Sequence, residues 1–211
     1  MNDPATLHPN SPHAAIDGPL SLRGPAPTDV VVAFGFWLFL LSDIVVFSAL
    51  FAAYAVLANQ TAGGPAGPAM FDRSHVALET ACLLASSFAC GMCVLGSQRR
   101  HLPSTYGWAA ATFLLGAAFL ALELTEFAGM VGSGAGPSRC AFLSAFFLLV
   151  GTHGAHVTFG LVWLLVMMAQ IATFGFRAMV IRRLLCFSLF WHAIDIVWVG
   201  VFTIVYLGAH Q

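Results

Sequence analysis

Five long apolar runs fill almost the whole chain after residue 30, near 31–58, 75–97, 105–128, 140–173 and 181–208. Each reaches the roughly 20 residues that a helix needs to cross the hydrocarbon of a bilayer. A helix satisfies its own backbone N–H and C=O groups where no water can, so the pattern predicts five membrane-spanning helices. Turn residues separate the runs: Gly63-Gly64-Pro65 and Gly67-Pro68, then Arg99-Arg100-His101-Leu102-Pro103, then Gly132 to Pro137, then Gly175-Phe176-Arg177. The fourth run is over-long, which implies tilt or a projection beyond the bilayer. Residues 1–29 differ. They hold six of the ten prolines and no long apolar stretch, and they read as a disordered polar tail ahead of one transmembrane domain over 30–211. The tail lacks a basic segment followed by a short apolar core, so it is not a secretory signal.

Composition sharpens this picture. Of 211 residues, 59% are hydrophobic and 8% charged, too few charges for a water-facing skin. The fold expected is an all-α membrane protein, a single bundle of five helices. The net charge of −1 comes from eight Arg, no Lys and nine carboxylates, which excludes a broad basic surface for nucleic acid. The tail and the second and fourth linkers hold six of the Arg (Arg23, Arg99, Arg100, Arg177, Arg182, Arg183); the opposite side holds two, Arg73 and Arg139. That asymmetry puts the N-terminus in the cytoplasm and the C-terminus outside. The five Cys lie in or beside apolar stretches and are odd in number, so they read as small buried hydrophobes rather than a disulfide framework. Cys90 and Cys93 have redox-motif spacing but fall late in a span, away from the helix N-terminus that would activate a thiolate. No second pair completes a zinc set.

All eight Arg sit outside the spans or at their ends, whereas Asp43, Glu79, Glu123, Glu126 and Asp195 lie within them. A charge at the bilayer centre costs about 2.5–3.5 kcal/mol on insertion scales, so such residues face protein or water. They are then neutral, bonded to His or hydroxyl groups, or matched by another subunit. Glu79 lies about one turn inside the second span and shares a face with His75. It is either a helix-end acid reaching the headgroups or a buried acid facing a cavity or lipid cleft. Glu123 and Glu126 near the end of the third span are expected to face the membrane–water interface. His153 and His156, at i,i+3 on the fourth span, offer two imidazoles to a metal or, with His192, to a haem. Gly151 and Ala155 beside them mark close helix packing instead. Ser188, His192, Asp195, Trp198 and Phe202 share a face of the fifth span. His192 and Asp195 are placed to bond each other, as an oriented ligand or proton relay or as an interhelical clamp.

Four strings resemble subunit III of the haem-copper terminal oxidases: Ser42-Asp43-Ile44-Val45-Val46-Phe47 and onward to Tyr54; Leu78-Glu79-Thr80; Phe142 to Phe147 with Gly151-Thr152-His153-Gly154-Ala155-His156-Val157-Thr158; and Phe190-Trp191-His192-Ala193-Ile194-Asp195-Ile196-Val197-Trp198. The likeness runs over about 31–208. Within the family the chain is similar to the bo-type ubiquinol oxidase branch, through Asn59 to Pro65 and through its five spans rather than the seven of many cytochrome c oxidase versions.

The resemblance implies an accessory role. In the family, subunit I carries the haems and copper, and subunit III holds no redox centre and packs against it. The helices of subunit III enclose a cleft filled by phospholipid that is proposed to aid oxygen access and protect subunit I. The complex, with subunits II and IV, lies in the bacterial inner membrane, oxidises ubiquinol, reduces oxygen to water and translocates protons. By position, Glu79 with His75 is the buried acid of the cleft. Asp43, Glu123, Glu126, His153, His156, His192, Asp195 and Trp198 are structural polar residues. No catalytic centre, cofactor or metal is expected in this chain. The competing readings are a cytochrome c oxidase subunit III, a free-standing b-type haem protein and a proton-coupled transporter.

Overall fold

The computed structural model describes residues 28–58, 60 and 73–207. The expected tail before residue 28 and the Gly63–Pro68 linker lie outside the described residues. Five helices follow one another: α1 Thr28–Leu57, α2 Arg73–Gln98, α3 Leu102–Gly132, α4 Ala141–Phe174 and α5 Ala178–Val201. A π-helical turn, Phe202–Leu207, extends α5. All five are long and apolar enough to span a membrane, and the described residues contain no strand. The all-α, five-span reading therefore holds. The chain divides into two compact units, residues 1–38 and 39–211. In the first, the described residues are the opening turns of α1.

The helix ends differ from the sequence reading by a few residues, most informatively around α3. The α3 helix starts at Leu102, three residues earlier than expected, with Pro103 in its first turn. Proline is tolerated there because a first-turn N–H has no helical partner to lose. The His101 ring accepts the Ser104 N–H at 3.2 Å and caps the helix. Just before it, α2 closes with the His101 N–H on the Gly96 carbonyl and the Arg100 N–H on the Ser97 carbonyl, at 3.1 and 3.0 Å. This Schellman arrangement needs a left-handed residue, and Arg100 supplies it at φ 53°. The α3 helix ends the same way on Gly134 at φ 78°.

The second unit is built from heptad stripes. On α2, Val76, Glu79, Leu83, Ser86, Cys90, Cys93 and Ser97 are all buried, alternating in steps of three and four. On α3, the stripe runs Thr105, Ala109, Thr112, Gly116, Phe119, Glu123 and, after half-buried Glu126, Met130. Such stripes let two helices pack along their length at a shallow angle. α2 lies against α3 and α5, and α4 against α3 and α5. From Phe39 onward α1 adds a third stripe, Leu40, Phe47 and Tyr54, each under 5% exposed. These rings meet α4: Phe47 stands 5.1 Å from His156 and Tyr54 stands 5.9 Å from Phe142. Trp191 is, with Trp198, one of the two largest core anchors. It fills the notch left by Gly116 and Gly160, where an added Cβ would lie 2.9 and 2.6 Å from its ring.

Candidate functional site

Polar side chains gather in three places inside the second unit. The first is a hydroxyl seam between α2 and α5. Trp191 donates its indole N–H to Ser86 Oγ at 3.1 Å, and Ser86 donates to the Thr112 carbonyl of α3 at 3.0 Å. On the very next residues, Ser87 Oγ and His192 Nδ1 share a hydrogen bond at 2.6 Å. Two turns further, Trp198 donates to Thr80 Oγ1 at 3.1 Å. Asp195 is buried on the same face, and its Oδ1 has no hydrogen-bond partner. The expected direct bond between His192 and Asp195 is not formed: the His192 ring bonds Ser87 of α2 instead. The face predicted on α5 is therefore real, but its partners are small hydroxyls on α2. Sequence reading missed Thr80, Ser86 and Ser87. The signal for Ser86 was present, since it continues the seven-residue step of Glu79 and Cys93.

The second place is the pair on α4. His153 is fully buried, and neither ring nitrogen has a hydrogen-bond partner. Its ring lies 5.1 Å from Trp198 and 5.7 Å, edge-on, from Phe119. His156 turns toward α1 instead, bonding the Thr152 carbonyl at 2.7 Å and approaching Asp43 at 3.9 Å. The two imidazoles thus serve different contacts, and among the described residues neither belongs to a group of three metal-ligating side chains.

The third place is an acidic cluster where α2 begins and α3 ends. Glu79 is wholly buried, and both carboxylate oxygens lack a hydrogen-bond donor. Its Oε1 lies 3.4 Å from His75 Nδ1. Glu126 accepts a hydrogen bond from the Tyr206 hydroxyl at 3.3 Å, an arrangement that the π-helical turn after α5 makes by swinging Tyr206 inward. Glu123 is 2% exposed and rests against the Gly154 backbone, where a Cβ would lie 2.6 Å from its Oε1. The expectation that Glu123 and Glu126 face the membrane–water interface is corrected here. Both continue the core stripe of α3, because steps of three and four residues carry them onto the same face as Phe119. His75, Glu79 and Glu126 each offer a ligand atom, and the three atoms lie within 4.8 Å of one another. Tyr206 was not singled out in the sequence, where nothing marks a change of helical pitch.

The five cysteines are free thiols, and Cys90 and Cys93 are buried. Cys93 donates weakly to the Thr105 carbonyl at 3.5 Å, in keeping with small packed side chains.

This bundle matches a known family over nearly its whole length. The model of cytochrome c oxidase subunit III covers residues 25–210. The chain belongs to that family. Among its relatives, a cytochrome bo(3) ubiquinol oxidase subunit 3 of Pseudomonas aeruginosa is 52% identical, over 82% of this chain and 83% of the relative. A quinol oxidase subunit 3 of Bacillus subtilis is 43% identical over 82% of this chain and 85% of the relative. A cytochrome c oxidase subunit 3 of a Bacillus species (strain PS3) is 42% identical, with 82% and 84% covered. As a family member, the chain is one subunit of a larger oxidase assembly. The resemblance read from Asp43, Glu79, His153, His156, His192 and Trp198 thus pointed to the right family.

Proposed function

We propose that this chain is the accessory subunit III of a proton-translocating haem-copper ubiquinol oxidase, without a redox centre of its own. Its similarity across the whole bundle to the Pseudomonas aeruginosa ubiquinol oxidase subunit carries the reading. The hydrogen bonds of the seam support it: Trp191, His192 and Trp198 hold α5 to α2, which is structural work rather than chemistry. Haems and copper belong to subunit I, its main partner, with subunits II and IV completing the complex. The membrane is the bacterial inner membrane. The arginine asymmetry puts the N-terminus in the cytoplasm and the C-terminus in the periplasm.

Phospholipid binding fits the same picture. Arg99, His101 and Ser104 line a cavity with Met92, Leu95 and Gly96 at the α2–α3 turn, an apolar wall beside a cationic rim. We take this cavity, together with the family's lipid-filled cleft at Glu79 and His75, as the regions that hold lipid and keep subunit I supplied and protected during turnover.

The test is purification through a tag on this chain. The expected product is a complex with a haem-bearing subunit that consumes oxygen with ubiquinol as donor. Oxidation of reduced cytochrome c in place of ubiquinol would assign the chain to a cytochrome c oxidase. A reduced-minus-oxidised haem band in the isolated chain would overturn the accessory reading.

A further inference from the structure

The cluster at the start of α2 has the composition and spacing of a metal site, a role beyond the cleft position that the resemblance gives Glu79 and His75. His75, Glu79 and Glu126 come from two helices. Their ligand atoms lie within 4.8 Å of one another, and His75 Nδ1 and Glu79 Oε1 stand 3.4 Å apart. Ligands at about 2.0–2.1 Å around a tetrahedral zinc ion sit roughly 3.4 Å from each other, so this pair already has the required spacing. A second observation points to a ligand. Glu79 is wholly buried, yet neither of its oxygens receives a hydrogen bond. A buried carboxylate without donors is costly, and here it faces a second carboxylate. A divalent cation removes both costs at once, because two carboxylates and a neutral imidazole balance its charge in an apolar surround. The way in is on hand: the His75 side chain is 31% exposed at the helix end.

We infer that His75, Glu79 and Glu126 bind one zinc ion, which ties the start of α2 to the end of α3. One imidazole nitrogen and two carboxylate oxygens are ligands that zinc accepts, leaving a fourth position for water. Magnesium suits the site poorly, because it prefers six oxygens and sheds water reluctantly. Tyr206 holds the second oxygen of Glu126 by its hydrogen bond and so orients that ligand from behind. The inference concerns residues of this chain alone and stands whichever donor the complex oxidises.

The test uses the oxidase complex that retains this chain, stripped with chelator and re-equilibrated with zinc in an excess of magnesium. Elemental analysis gives zinc per complex, and mass spectrometry of the same sample verifies that the chain is present. The wild type is expected to hold one more zinc than His75→Ala and Glu126→Gln. His101→Ala, at the opposite ends of α2 and α3, is expected to match the wild type. Glu126→Gln keeps side-chain size and His75 is partly exposed, so both variants are built to assemble. If either loses the chain, His75→Gln replaces it in the comparison. Zinc-edge absorption of the wild-type-minus-variant difference should show a nitrogen and oxygen shell at about 2.0–2.1 Å. Equal zinc in the wild type and both variants, loss that follows His101→Ala, or a sulfur shell at about 2.3 Å would overturn the inference.

Discussion

Ser87 carries more of this structure than its size suggests. Its hydroxyl bonds the half-buried His192 ring of α5 beside buried Asp195, so Ser87→Ala removes a polar partner from that face. Leaving a buried group unsatisfied costs on the order of 1–3 kcal/mol. Ser87→Ala should therefore lower the yield of complex that keeps this chain, and by more than Trp198→Phe. The latter leaves Thr80 still bonded to the Val76 carbonyl at 2.9 Å. Quantitative mass spectrometry of the purified complex checks the order. If Trp198→Phe is the more damaging, the indole packing against Phe119 and His153, not the seam, decides stability. Asp195→Ala should reduce yield while leaving the ubiquinol oxidation rate per assembled complex close to wild type; a sharp fall in rate with normal yield would make Asp195 functional instead. The residue scale is also where the sequence was least legible. Intramembrane acids and histidines stand out against an apolar background, so Asp43, Glu79, His153 and Asp195 were visible. The seam hydroxyls of Ser86, Ser87 and Thr80 are commonplace, and only three-dimensional packing distinguishes them from other small residues.

Among the helices, the apolar runs gave all five elements, because lipid leaves few alternatives to a helix. They gave the ends less well. The α2–α3 turn depends on Arg100 adopting a left-handed conformation and on Pro103 standing within the next helix, and hydropathy is blind to both. The packing of α4 on α5 has a sharper requirement. A Cβ at Gly160 would approach the Trp191 ring to 2.6 Å. The ring has little room to retreat, with Ser86 holding its N–H and Gly116 close on another edge. Overpacking of this kind costs about 1–3 kcal/mol. Gly160→Ala should lower the melting temperature of the complex or release this chain from it. Gly91→Ala, where a Cβ meets nothing within 4 Å, should change neither. Equal melting of both variants would show that the helices slide apart without penalty.

Within the second unit as a whole, the part of α1 from Phe39 onward is the loosely held element, with only Leu40, Phe47 and Tyr54 buried. Its docking from Phe39 onward rests on Leu40, Phe47 and Tyr54. Phe47→Ala removes the central ring, a change that typically costs 3–5 kcal/mol in a core. It should destabilise the subunit far more than Val45→Ala, since Val45 is 68% exposed; differential scanning of the complex compares them. Charge asymmetry adds a topological expectation. A reporter that is active only in the periplasm should work when fused at the C-terminus and fail when fused at the N-terminus. The reverse pattern would invert the orientation and place the His75 cluster on the cytoplasmic side.

The stripe on α1 also bears on the order in which the protein is made. α2 and α3 are neighbours in sequence and can pair as soon as both have been synthesised. The partners of α1 come much later: Phe47 waits for His153, and Phe39 for Phe190 at 6.3 Å, more than a hundred residues downstream in each case. At about 5–20 residues per second, α1 is left in the bilayer for several seconds or more as a lone span with nothing to dock against. A helix with a broad polar face would be poorly suited to that interval. From Phe39 onward α1 exposes Leu41, Ile44, Val45, Val46 and Val56, and Asp43 is the one carboxylate in that stretch. Its unusual apolarity is thus matched to the interval between insertion and docking, when lipid is its only company.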